Sequence, residues 1–169
     1  KFPDGRIIEG QLDADGHLHG VGSVTVDGVV LSRGTYRGGQ LKSGWEVRQH
    51  VAGNRALQLS LRGTFEGGEL AHGQQSFTVT QPRVFEQLLR IVTEGHFDKD
   101  GELHGNDGTE TISVVECDGA VQCQQTVHGS FAHGQPSPDV TVTTGGMFAS
   151  RVGQLPSFRS KAWPLRSLC

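Results

Sequence analysis

The chain has 169 residues, enough for one ordinary domain, with 34% hydrophobic residues and 25 glycines. That composition suits a thin sheet rich in turns rather than a thick globular core, and no apolar run approaches the 18 residues of a membrane helix. A formal charge of −3 argues against general nucleic-acid binding.

In chain order, a glycine–aromatic–glycine phrase recurs. A loose copy starts at Gly10, with Leu12, Gly16, Leu18 and Gly20. The phrase is fullest from Gly34 (Tyr36, Gly39, Leu41, Gly44), from Gly63 (Phe65, Gly68, Leu70, Gly73) and from Gly95 (Phe97, Gly101, Leu103, Gly105). A last loose copy runs from Gly129 through Phe131 to Gly134. Successive starts are 24, 29, 32 and 34 residues apart, so the unit is kept while its loops grow. Upstream of each starting glycine the pattern has period two: Leu57, Leu59, Leu61, Gly63 and Phe65 share one parity, as do Leu89, Ile91, Thr93, Gly95 and Phe97. Such alternation puts these side chains on one sheet face and Gln58, Ser60, Arg62 and Glu66 on the other. The repeat-forming residues are therefore Gly34, Tyr36, Gly63, Phe65, Gly95, Phe97, Gly129 and Phe131. A glycine on the apolar face leaves a hole for an aromatic ring from a neighbouring strand.

After each aromatic the chain must turn. Asp13-Ala-Asp-Gly16, Gly38-Gly39, Gly67-Gly68 and Asp98-Lys-Asp-Gly101 supply residues that tolerate positive φ. Return strands are predicted at Val21 to Val26, Trp45 to Val51, Ser76 to Thr80, Thr109 to Val115 and Val140 to Thr144, with the phrase's +10 glycines (Gly20, Gly44, Gly73, Gly105) in equivalent places. Val84 to Val92 has helical spacing through Phe85, Leu88, Leu89 and Val92, but the phrase parity favours strand from Leu88 onward. The expected fold is all-β: an elongated antiparallel meander of about five stacked β-hairpins over residues 1–146, followed by an irregular basic tail over 147–169.

The phrase resembles the MORN repeat (membrane occupation and recognition nexus). Leu18-His19-Gly20, His72-Gly73 and Leu103-His104-Gly105 carry the His-Gly pair that opens that family's return strand. The resemblance spans roughly residues 5 to 145, with repeats longer than the family's usual unit. It implies consecutive hairpins in one sheet and a role as a non-catalytic scaffold or structural subunit, with protein partners in a larger assembly. Two other roles stay open: a recognition module cut from a larger enzyme of kinase or methyltransferase type, and a peripheral binder of acidic lipid surfaces.

No Gly-x-Ser-x-Gly elbow, Gly-x-x-x-x-Gly-Lys loop or His-Glu-x-x-His helix is present, so no catalytic residue, cofactor or small-molecule substrate is expected. His19, His72 and His104 at +9 would form a line rather than the converging cage a metal needs, and are read as packing groups. The Asp-x-Asp-Gly turns lack the twelfth-position glutamate of a calcium loop, which is Val24 in one and Thr109 in the other. No metal is expected. Cys117, Cys123 and Cys169 form no disulfide framework, and an Asp118-Gly119 turn would put Cys123 opposite Val114. That favours a reducing, intracellular compartment, cytoplasmic or cytoskeletal ahead of an organelle, which stays open. Beyond Asp139 there are no acids, and Arg151, Arg159, Lys161 and Arg166 accompany Phe158 and Trp163. These six are the candidate partner-binding residues of a tail that either caps the last hairpin or straps onto a partner.

Overall fold

The computed structural model describes residues 5–52, 55–80, 87–116 and 121–146. The tail residues Arg151, Phe158, Arg159, Lys161, Trp163 and Arg166, the Asp118-Gly119 turn, and Val84 to Glu86 lie outside them.

Eleven strands and no helix make up the described residues. They are β1 (Arg6–Leu12), β2 (Leu18–Val26), β3 (Val29–Arg37), β4 (Gln40–Ala52), β5 (Arg55–Glu66), β6 (Glu69–Thr80), β7 (Gln87–Phe97), β8 (Leu103–Glu116), β9 (Val121–Ala132), β10 (Gln135–Pro136) and β11 (Thr141–Gly146). All belong to one antiparallel sheet in which each strand from β1 to β9 pairs with the next in sequence, and β10 and β11 follow each other along the same side of β9. The sheet is an open meander, as the repeat predicts. Strand β7 covers the segment from Leu88 onward, in agreement with its parity. Cys123 pairs with Val114, as the reading of that hairpin requires.

The phrase glycines stand in one row across the strands. Gly10 pairs Gly22, Gly22 pairs Gly34, and the row continues through Gly44, Gly63, Gly73 and Gly95. It is extended by Gly108, whose Cα lies 3.3 Å from where a Gly95 Cβ would be, and by Gly129. Two expected members are displaced. Gly20 and Gly105 lie opposite the aromatics Tyr36 and Phe131, and Gly22 and Gly108 take their places in the row. The cause is loop length: the β1–β2 and β7–β8 turns hold five residues between the paired ends Leu12↔Leu18 and Phe97↔Leu103, whereas Gly38-Gly39 and Gly67-Gly68 are two-residue turns.

The row is a crease. Four residues of extended strand span about 13 Å, yet the Tyr36 hydroxyl donates to Ser32 Oγ at 2.7 Å, from the far side of Gly34 on the same strand. Arg48 makes the point over a longer path. It pairs with Leu59 in register, seven residues or about 23 Å of flat strand from Glu66. Its guanidinium nevertheless donates to Glu69 Oε2 at 3.3 Å and to the Gly68 carbonyl at 3.2 Å, in the turn beyond Glu66. The turn ends of the hairpins are therefore folded back as a flap over the longer limbs of the strands. Register shifts at Gly10/Gln11, Thr35/Tyr36, Thr64/Phe65 and Glu94/His96 sit beside the row, and bulges of this kind bend a strand.

The core fills the crease. Leu61 on the limb and Leu18, Tyr36, Leu41, Phe65, Leu70, Phe97, Leu103 and Phe131 on the flap are all buried and form one cluster. Each such side chain contributes about 1.5–3 kcal/mol by leaving water. The holes over the glycines are filled mostly by leucines rather than rings: Leu18 over Gly10 and Gly22, Leu41 over Gly34, and Leu103 over Gly95, with Phe131 the ring over Gly108. Leu12, the +2 residue of the first phrase, stays 58% exposed on β1, which among the described residues pairs only with β2.

A methyl group at Gly73 would lie 2.1 Å from the Arg62 carbonyl oxygen, at a φ of +140° that side chains rarely adopt. Gly73→Ala is expected to cost about 1–3 kcal/mol or more, whereas Gly145→Ala, with nothing within 4 Å, should be close to neutral. Urea denaturation of both variants against the parent checks this.

Candidate functional site

Two regions of the sheet surface carry chemistry. The first is the polar face of the long limbs. Trp45 stands directly between Arg33 on β3 and Arg62 on β5 in register, with both arginines exposed and the indole half-buried. A hollow of about 520 Å³ opens beside it, lined by Trp45, Gln58, Arg62, Ser76, Thr78 and Arg90 among others. Period-two alternation puts these residues here, since their neighbours Leu59, Leu61 and Phe77 take the crease side. The face can stack on a flat or apolar group through Trp45 while Arg33, Arg62 and Arg90 meet acidic or carbonyl groups.

The second region is a line of imidazoles across the flap. His72 and His96 are cross-strand partners with ring centroids 4.4 Å apart. His96 pairs in turn with His104, and the His104 ring lies 5.3 Å from that of His133 in the β9–β10 turn. Of the three +9 histidines, His72 and His104 join this line. His19 stands apart, opposite Gln11 near the β1 edge. Sequence reasoning passed over His96 and His133. The signal was present in the repeat itself, because His96 replaces the hydroxyl residue found after the starting glycine in three other copies (Thr35, Thr64, Ser130), and His133 replaces Gly38 and Gly67.

Asp98 anchors the end of this line. Its Oδ1 accepts from the backbone N–H groups of Asp100 at 2.9 Å and Glu102 at 3.1 Å, and its Oδ2 lies 2.7 Å from His133 Nδ1. Burial opposes ionisation of the carboxyl. The Glu102 amide, His133 and the Asp100 amide together outweigh it and hold Asp98 below the usual carboxylate range. With Asp98 ionised, His133 Nδ1–H is the donor of that bond. Asp13 plays the same turn role, accepting from the Asp15 and His17 amides at 3.1 and 2.8 Å.

Inside the crease, burial raises the Glu110 carboxyl. Glu110 faces Thr93, whose buried Oγ1 has no hydrogen-bond partner among the described residues. Arg48 behaves differently. Burial opposes its charge, but Glu46 at 3.0 Å and then Glu69 outweigh that cost and raise the guanidinium further.

The chain matches no family model, no curated protein and no solved structure.

Because folding favours the neutral form of Glu110, its ionisation costs stability above the unfolded carboxylate range, and that cost disappears as pH falls below it. Glu110→Gln should therefore raise the urea midpoint at pH 7 and leave it unchanged at pH 3. Equal midpoints at pH 7 would contradict the burial of a charged carboxylate there.

Proposed function

We propose that this protein is a non-catalytic scaffold or structural subunit of a larger protein assembly, built from divergent MORN-like hairpins. The observation that carries the reading is the uncovered polar face on which Trp45 is held between Arg33 and Arg62. Tryptophan and arginine are the residues most often found as energetic anchors of protein interfaces. Here they project from strands, which fixes their spacing and lowers the entropy lost on docking.

Three further features support the same role. The sheet ends on two strands, β1 and β11, that each pair on one side only among the described residues. They display apolar side chains, Leu12 at 58% and Val142 at 51% exposure, and such edges accept an additional strand from a partner. The carboxyl whose ionisation burial opposes, Glu110, lies in the crease among core residues rather than in the hollow beside Trp45. The basic tail, with Phe158 and Trp163, offers a second contact element of the same composition.

The test is crosslinking with mass spectrometry on the tagged full chain in its native source, comparing the parent with Arg33→Glu/Arg62→Glu. The expected result is a reproducible protein partner crosslinked to strands β4 to β6, with affinity for that purified partner falling about tenfold or more in the variant. A chain that stays monomeric with no reproducible crosslinks, or a folded variant that binds as well as the parent, would overturn the reading.

A further inference from the structure

We propose that Asp98, His104 and His133 form a binding site for a divalent transition metal ion of the zinc type. One ligand atom from each of the three lies within 4.8 Å of the other two. The donor set, two imidazoles and a carboxylate, is the kind that selects zinc and its neighbours over magnesium or calcium. Two imidazoles on one tetrahedral zinc hold their ring centroids about 5 Å apart. The His104 and His133 rings are at 5.3 Å. Water completes the fourth position, so the site is open.

The ion takes the place of the proton now shared between His133 Nδ1 and Asp98 Oδ2. Nitrogen and oxygen ligands of a tetrahedral zinc are about 3.3 Å apart, so the 2.7 Å hydrogen bond has to open by about half an ångström. His104 and His133 are both exposed, which allows that adjustment. With the ion on Nδ1, the imidazole carries its one N–H on Nε2.

An independent observation comes from the backbone. The β2–β3, β3–β4, β5–β6 and β9–β10 turns have the same two-residue form, and their first central residues are Asp27 (φ +50°), Gly38 (φ +55°), Gly67 (φ +60°) and His133 (φ +49°). Glycine occupies this left-handed position in two of the four turns and aspartate, which tolerates it, in a third, while a histidine there costs some backbone energy. His133 accepts that strain in the one turn that reaches the Asp98 carboxylate and the His104 ring. The neighbouring hydrogen bonds repeat as well: the Gly39 amide donates to the Leu18 carbonyl at 3.0 Å, and the Gly134 amide to the Leu103 carbonyl at 2.9 Å. The first pair of hairpins therefore offers Asp13 and His19 in the places of Asp98 and His104, but Gly38 supplies no third ligand. At these three positions the two pairs of hairpins differ only at the third, Gly38 against His133.

The site is tested on the full chain by isothermal titration with zinc chloride and by the visible absorption of added cobalt(II). The parent should bind one equivalent of zinc that His133→Gly and His104→Ala lose, each weakening binding at least about tenfold. Cobalt should give the intense bands of a tetrahedral centre. Zinc should raise the parent's Tm and leave that of His133→Gly unchanged. His133→Gly keeps the test decisive, since it copies the Gly38 turn and should fold at least as well as the parent. His72→Ala, outside the trio, should bind like the parent. Absence of zinc binding by the parent, or binding undiminished in folded His133→Gly and His104→Ala, would overturn the assignment.

Discussion

The contact on which the rest of this structure depends is the close approach of glycine Cα atoms along one row of the sheet. At Gly34, Gly63 and Gly73 an added Cβ would fall 2.0–2.1 Å from a carbonyl oxygen of the adjoining strand. No other residue fits there. The gap left by the missing side chains lets the strands bend together, and the bend turns a single layer into something with an inside. A flat sheet of this size would expose one whole apolar face. The creased sheet instead buries Phe65, Leu70 and Leu61 to 3–4% without a second layer.

The crease also sorts the polar chemistry. Residues that alternate inward on the limbs end in a narrow space, where Arg48 pairs with Glu46 and with Glu69 of the flap and Glu110 is pushed toward its neutral form. Those that alternate outward are left on a face that nothing in the described chain covers. The flap carries the turns, and there the hairpins sit close enough for side chains of the fourth and fifth units to meet. Asp98 belongs to one turn and His133 to the next, and 35 residues separate them in sequence.

Much of the architecture was legible in the residues. The parity of Leu57, Leu59, Leu61 and Phe65 fixed the inward face, and the +2 aromatics Tyr36, Phe65, Phe97 and Phe131 all proved to be core. The displacement of Gly20 and Gly105 was not legible, because it depends on how many residues the preceding turn absorbs. Nor was the crease, because period-two alternation reports only the face on which a side chain lies and is silent about curvature. Leucines rather than rings cover most of the glycines for the same reason: the bend brings the return-strand residues Leu18, Leu41 and Leu103 over the row. The imidazole line was half legible. Its regular members followed from the repeat, while His96 and His133 are departures from it, and a search for recurrence passes over departures.

The crease itself is most directly tested by a zero-length crosslink. In an Arg48→Lys variant, carbodiimide treatment of the dilute monomer should join Lys at position 48 to the Glu69 carboxylate, which the Arg48 guanidinium touches at 3.3 Å. Mass spectrometry of the digest should then find the linked peptide within one chain. On an uncreased sheet the two positions would stand about 23 Å apart, and absence of that crosslink from the folded protein would contradict the account.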